Sequence, residues 1–374
     1  MYSISKNYLA NLLKELCSVP GVSGAERPVR EYIAKYIKEL CPSGISLYSD
    51  TLGNLVVKLG EGSPKIALMA HMDEVGIVVK SIEERGLIRF SYVGGLDTRV
   101  MLGQVVAIYG SGSKLRGKSW WERKVLGVVG VKPIHLLSEE ERKKVPDVKE
   151  LFIDIGLRKR EEVEELIQVG DVGHVERSFI RLPTEIGDVV SARALDDRAG
   201  CAVLLGVLKQ LIDREVKPQA TLYLVFTVQE EIGLRGSRVI TYKLHEEGLE
   251  KAIIIDVTHA AGYPGLEYIE YPVELGKGPA ISRGPPVHEE LTEQILEIAN
   301  RLKVRDNEFT YQIVPEAGRT GTDLDVAQIV RTGIEATVVS IPLRYMHTGS
   351  EVVNLKDLEN TVKLLVETIL KLGS

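Results

Sequence analysis

The sequence predicts an α/β fold in which helices flank a mixed central sheet, with a second, small β domain inserted into it. Three observations carry this. Apolar strand-like runs alternate with helical apolar spacing in the first part of the chain and again after Ile186, an order that builds a sheet covered by helices. Between Val75 and Arg181 the texture changes to short β-type runs broken by glycine. At 374 residues the chain also exceeds the usual size of one hydrophobic core, so two domains are expected.

The elements follow in order. Glu26 to Cys41 places Val29, Ile33, Tyr36 and Ile37 on one helical face, with Pro28 tolerated in the first turn. Asp50 to Leu59 reads as a turn and a strand, and Lys65 to Ala70 as a short buried strand that runs directly into His71. Gly86 to Val93, Gln104 to Tyr109 and Val125 to Val131 are the β runs of the insertion, punctuated by Gly94-Gly95 and Gly110 to Gly112. Beyond it the sequence predicts helix Arg198 to Ile212, strands Thr221 to Val228 and Ala252 to Ile255, helix Glu289 to Leu302, strand Ala336 to Ile341 and helix Leu355 to Leu370. Leu291, Ile295, Ile298 and Leu302 line one face of the penultimate helix. No repeat or low-complexity tract interrupts this order.

Composition excludes several classes. The apolar share of 44% and charged share of 27% are those of a globular protein, and runs such as Leu222 to Val228 are too short to cross a bilayer, so no membrane association is expected. Met1 to Leu16 mixes charges into helical spacing and offers no uninterrupted apolar stretch or cleavage site, so no secretion signal is expected. Cys17, Cys41 and Cys201 are odd in number and set in apolar surroundings, which reads as buried thiols in a cytoplasmic protein. A net charge of −6 provides no basic field for nucleic acid, and Arg142 to Lys144 after Glu139 to Glu141 reads as a solvated helix face. Few Gln, Asn, Cys and Met among abundant Lys and Glu is a pattern of heat-adapted proteins.

The chemistry lies where strands end, the place where open α/β sheets build ligand sites. His71 with Asp73 forms an H-x-D pair: imidazole ligates divalent metals, and the aspartate two residues on can orient it. Alone, the pair is more simply a histidine with an acidic neighbour. Asp196 and Asp197 precede an apolar helix, where one of them would serve as an N-cap, but capping needs only one. Glu230 and Glu231 end an apolar strand side by side, an arrangement that repels itself unless cations or protonation offset it. Asp256 follows a core strand and His347 lies past the last one, with His259 and Asp323 as competing ligands. Two histidines and several carboxylates at strand ends suit a pair of divalent metals with one bridging carboxylate.

The ordered segments His71-Met72-Asp73-Glu74-Val75-Gly76, Asp196-Asp197-Arg198, Gln229 to Gly236, Ile255 to His259 and Arg344-Tyr345-Met346-His347 resemble the M42 aminopeptidases, including the tetrahedral TET enzymes. Pro20 to Gly24 and Gly53-Asn54 match as well, so the resemblance covers nearly the whole chain. It implies an aminopeptidase acting on peptides with two divalent metals per subunit, zinc or cobalt foremost. His71 and Asp256 would complete one metal site, Glu231 and His347 the other, and Asp196 would bridge them. Asp73 would orient His71, Glu230 would be the general base, and Asp197 would not be a ligand. It further implies a catalytic domain of residues 1–74 plus 182–374, and a β-barrel or PDZ-like insertion of residues 75–181 through which subunits dimerise, the dimers building a hollow dodecamer. Ile232 stands where valine is frequent, a volume-tolerant change. Gly110 to Glu122, with Trp120-Trp121, departs most from the pattern and reads as an exposed loop with an interface or gating role.

Three other readings compete. A deacylase of small acylated amino acids would use a related metal site. A glycosidase of endoglucanase type would use paired carboxylates, but neighbours in an extended strand point apart and such chemistry needs neither histidine. A non-catalytic assembly protein would keep the fold without needing an intact ligand set.

Overall fold

The computed structural model describes residues 4–41, 43–183, 188–216, 218–266 and 272–373. Met1, where the N-terminal reading begins, and Ile186, after which strand–helix alternation was expected to resume, lie outside them.

The large sheet has eleven strands among the described residues, and its centre is four parallel strands in the order Thr221–Thr227, Lys65–His71, Lys251–His259 and Glu335–Arg344. These are nearly continuous apolar runs because helices cover both faces. Side chains alternate between the two layers. Leu68, Leu224, Phe226, Ile253, Ile255 and Val339 face one core, packed under Lys6–Ser18, Leu195–Asp213 and Leu355–Leu372. Ala67, Met69, Tyr223, Val225, Ile254 and Val338 face the other, under Arg235–Glu246.

Helix Leu195–Asp213 is buried almost all round, since it is enclosed between the sheet and the terminal helices. That is why its sequence is apolar on every side. Gly206 allows the close approach: a Cβ there would lie 2.9 Å from Val362 Cγ2 and 3.1 Å from Ile4 Cδ1.

The mixed α/β architecture with a second β unit is borne out. The second unit is a closed six-stranded barrel, Gly76–Ile82, Ile88–Val93, Phe152–Asp154, Lys124–Gly130, Val105–Tyr109 and Val172–Val175 in order around it. Ile77, Val79, Ile88, Phe90, Ile108, Val129 and Ile153 fill its interior. It leaves the large sheet just after Lys65–His71. Ile180–Arg181, which the sequence reading kept within the insertion, pairs instead with Val189–Ala192 at the edge of the large sheet.

Other differences are local. Arg142 and Lys143 lie not on a longer helix but in one exposed 3₁₀ turn, Glu141–Lys143, which Lys144 follows as its cap. The strand expected to stop at Ile255 continues to His259, because its whole length pairs in register with Glu335–Arg344. Helix Arg235–Glu246 was not anticipated. Among the described residues no helix is long and apolar enough to cross a membrane.

His174 reports on the joint between the two units. It is buried in the barrel wall, Nδ1–H donating to the Val175 carbonyl and Nε2 accepting from the Tyr109 hydroxyl, each at 3.0 Å. Burial, helped by the nearby Arg193 guanidinium, pushes its pKa down to about 4. The unfolded chain therefore takes up a proton near pH 6.5 that the native state refuses until about pH 4, so native stability falls as pH drops through that window. At 1.36 kcal/mol per pH unit the loss is on the order of 3 kcal/mol. Thermal denaturation as a function of pH should show this slope in the wild type and a shallower one in His174→Gln.

Candidate metal centre

The cavity at the carboxyl ends of the parallel strands has a volume of about 520 Å³ and is lined by His71, Asp196, Glu230, Glu231, Asp256 and His347, together with Val257 to His259 and Arg319 to Thr322. All seven residues named from the sequence as ligands or catalytic groups meet here or directly behind it. His71 is the last residue of its strand. Asp256 sits within its strand, one residue past the point where the apolar run had suggested an end.

Glu230 and Glu231 lie in the turn after Thr221–Thr227, entered through Gln229 at φ 55° and left through Gly233 at φ 115°. Asn54 staples that turn: its Oδ1 accepts from Val228 N at 3.1 Å and its Nδ2 donates to the Gly236 carbonyl at 3.0 Å. A Cβ on Gly236 would fall 2.2 Å from the Val228 carbonyl, so only glycine fits. His347 lies in the turn after Glu335–Arg344, with φ at 59°.

Asp196 lays one oxygen against each imidazole. Oδ1 is 3.0 Å from His71 Nε2, and Oδ2 is 3.4 Å from His347 Nε2. At the two ends, Asp256 Oδ1 is 3.9 Å from His71 Nε2 and Glu231 Oε2 is 3.2 Å from His347 Nε2. Ligand atoms of His71, Asp196 and Glu231 fall within 4.8 Å of one another, and so do those of His71, Asp197 and Asp256. Asp197 is thus close to the cluster, but one of its oxygens caps the helix by accepting from Gly200 N at 2.8 Å.

Asp73 lies behind His71, its Oδ1 3.6 Å from Nδ1. It also accepts from the Glu230 N–H at 3.0 Å, from the Glu231 N–H at 3.2 Å and from the Ser23 hydroxyl. One buried carboxylate therefore faces the histidine and fixes the backbone of both glutamates.

The electrostatics suit cations at this site. Burial pushes Asp256 up to about 8 and Glu230 up to about 10, and it also raises Glu231. The imidazoles go the other way from what burial demands. Burial opposes protonation of His347, yet Asp196 and Glu231 hold its pKa up at about 11, and Asp196 and Asp73 likewise raise His71. Burial would raise Asp196 as well, but the two imidazoles hold it below the usual carboxylate range. Carboxylates and imidazoles sharing one enclosed space, with Glu231 Oε1 buried and unpartnered, fit divalent cations as the compensating charge.

The competing candidates fall outside the ligand clusters found among the described residues. Asp323 is buried and accepts from Thr227 Oγ1 at 2.6 Å, and His259 lines the outer cavity. Most of the Gly110 to Glu122 loop is exposed, and Trp121 is its exposed large apolar residue, at 57%. Trp120 packs edge-on against Tyr109, with ring centroids 6.1 Å apart, and Arg123 lies over its ring.

Sequence reasoning missed Glu351. It is buried and hydrogen-bonded to the backbone of both Asp196 and His347. Only its position four residues after His347 could have drawn attention to it.

Residues 53–364 match the family described as M42 glutamyl aminopeptidase. A putative aminopeptidase of Acetivibrio thermocellus is 37% identical over 96% of this chain and 98% of its own length. The lysyl aminopeptidase of Pyrococcus furiosus is 33% identical over 94% of each. Among solved structures, a TET aminopeptidase from a marine sediment Thaumarchaeota archaeon superposes with a TM-score of 0.86 at 30% identity, covering 98% of this chain and 97% of that one. Pyrococcus horikoshii TET1 peptidase, which assembles into a tetrahedron or a large octahedral shell, has a TM-score of 0.78 at 32% identity over 96% and 98% of the two chains. A Thermotoga maritima structure named an endoglucanase is also similar, with a TM-score of 0.72 at 32% identity over 97% and 99%. With ligand-type residues converging at its strand ends and relatives matched along nearly its full length, this chain belongs to the M42 family of metal-dependent aminopeptidases, hydrolases of the peptide bond.

Proposed function

We propose that this chain removes N-terminal residues from peptides with two divalent metal ions per subunit, zinc or cobalt foremost. His71 and Asp256 would hold one ion, Glu231 and His347 the other, and Asp196 would be shared. The observation that carries this reading is Asp196 itself, with one oxygen against each imidazole and a further carboxylate beyond each. When bound, such ions lower the pKa of a water and polarise a carbonyl.

The residues around the ligands have separable roles. Asp73, facing His71 Nδ1, holds the ring so that Nε2 faces Asp196. Glu230 stands outside the ligand clusters while its side chain lines the cavity, so its carboxyl is placed to take a proton from the attacking water and pass it to the leaving amine. Its backbone N–H, held by Asp73, fixes where that carboxyl starts. Asp197 is read as a helix cap.

The domain assignment is catalytic for residues 1–74 plus 182–374 and dimerisation for 75–181, less the edge strand Ile180–Arg181, which pairs with the large sheet. Strand Lys124–Gly130 supports this. It buries Val129 inside the barrel yet exposes Leu126 and Val128 outside, and Val128 pairs with the exposed Val105 on the neighbouring strand. Two faces of apolar residues on one barrel strand suit a surface covered by another subunit. Dimers of this kind would assemble into a shell like those of the TET relatives, most simply a dodecamer. Three unpaired cysteines, two of them buried, agree with a cytoplasmic setting.

A metal chelator should abolish cleavage of aminoacyl reporter substrates, and zinc or cobalt should restore it. Chelator-resistant cleavage of a polysaccharide would instead favour the endoglucanase reading. Glu230→Gln should lower kcat by about two to four decades with metal content unchanged on elemental analysis. Near-normal turnover would remove Glu230 from the role of base. Asp73→Asn turns an amide group toward a backbone N–H that now has a carboxylate partner. It should destabilise the protein by about 1–3 kcal/mol in denaturant titration as well as reduce activity.

A further inference from the structure

The two ligands facing each other across the cluster, Asp196 and His347, both lie on irregular backbone. Asp196 has φ −80° and ψ 105° and follows Ala194 at φ 56°, and His347 has φ 59°. Neither backbone N–H is held by a helix or strand ladder. Both are held by one side chain: Glu351 Oε2 accepts from Asp196 N at 3.1 Å, and Glu351 Oε1 accepts from His347 N at 2.9 Å. Glu351 is 1% exposed and opens strand Glu351–Asn354, in register with Ala192, a few residues before Asp196. Burying a carboxylate is costly, and here both of its oxygens are satisfied by the N–H groups of residues that reach the metal cluster.

The His347 ring has a second support, from the barrel. Nδ1 lies 3.0 Å from the Gly95 carbonyl, which can only accept, so Nδ1 carries a proton and Nε2 faces Asp196 and Glu231. The approach is close: a Cβ on Gly95 would stand 2.9 Å from Nδ1 and 3.3 Å from Cε1.

We propose that Glu351 is a positioning residue that sets the bridging and terminal ligands at their working separation through their backbones, and that the barrel's Gly95 carbonyl sets the orientation of the His347 ring. This rests on the reading of Asp196 and His347 as ligands. It gives the inserted barrel a part in metal binding within its own subunit. Gln at position 351 keeps the shape but turns an amide group toward one of the two N–H donors, and Ala at position 95 pushes on the imidazole without touching Glu351.

The test uses the full-length chain stripped of metal. Zn²⁺ and Co²⁺ are titrated in by calorimetry, and thermal melting is recorded with and without each ion. Asp357→Asn is the control, since Asp357 is also buried and accepts from two backbone N–H groups, Gly276 and Gly278, at 2.8 and 2.7 Å, away from the site. Glu351→Gln and Gly95→Ala should each weaken metal binding by about 10–100-fold and shrink the rise in Tm on adding metal. The control should lower the metal-free Tm with metal affinity unchanged. Glu351→Gln or Gly95→Ala binding metal as the wild type does would overturn the corresponding half of the proposal. Should Glu351→Gln fail to fold, Gly95→Ala still decides the barrel's part, and Glu351→Asp, which keeps the charge but draws it back by one methylene, decides the other by the same titration. A wild-type chain that binds neither ion would overturn the ligand assignment itself, and the proposal with it.

Discussion

Crowding several carboxylates into one enclosed space at the carboxyl ends of four parallel strands is the constraint on which the rest of this structure depends. Each acid there gains little from water, and the two imidazoles are the nearest positive partners. Such a cluster is unstable by itself unless cations enter it and rigid surroundings keep the acids from moving apart. The apolar sheet beneath provides rigidity, since every central strand is buried on both faces.

The local supports follow one pattern. Asp73 reaches the backbone of Glu230 and Glu231, Glu351 reaches that of Asp196 and His347, and Asn54 holds the turn that carries the two glutamates. In each case a buried polar side chain takes over backbone groups that regular secondary structure leaves unpaired. The site can therefore use irregular, positive-φ turns, which aim side chains where a strand or helix could not, without leaving their amides orphaned. Through Gly95 and the His174 joint, the barrel abuts this arrangement as well as standing beside it.

Much of this was legible beforehand. The strand ends at His71 and Glu230 could be read because apolar runs stop there against charged residues, and helix Leu355–Leu372 because its spacing is regular. Asp256 was placed just past its strand because an acidic residue breaks an apolar run, although pairing with Glu335–Arg344 carries the strand on to His259. Helix Arg235–Glu246 escaped notice because glycine in its first turn lowers helix propensity, yet Gly236 is glycine for close contact with Val228 rather than for flexibility. Glu351 escaped because a lone acid at the start of a short strand has no local signature when its partners are backbone amides of irregular turns.

The sequence by itself determined the α/β class, the presence of a second β unit, and the identity and order of the residues that gather at the site, because apolar periodicity and strand ends are local properties of the chain. Tertiary structure alone decided that Asp196 faces both imidazoles, that Asp73 and Glu351 hold the backbones around them, and that a barrel carbonyl meets His347. Those contacts join segments far apart in sequence, and only the packing of the sheet, its helices and the barrel brings their atoms within reach of one another.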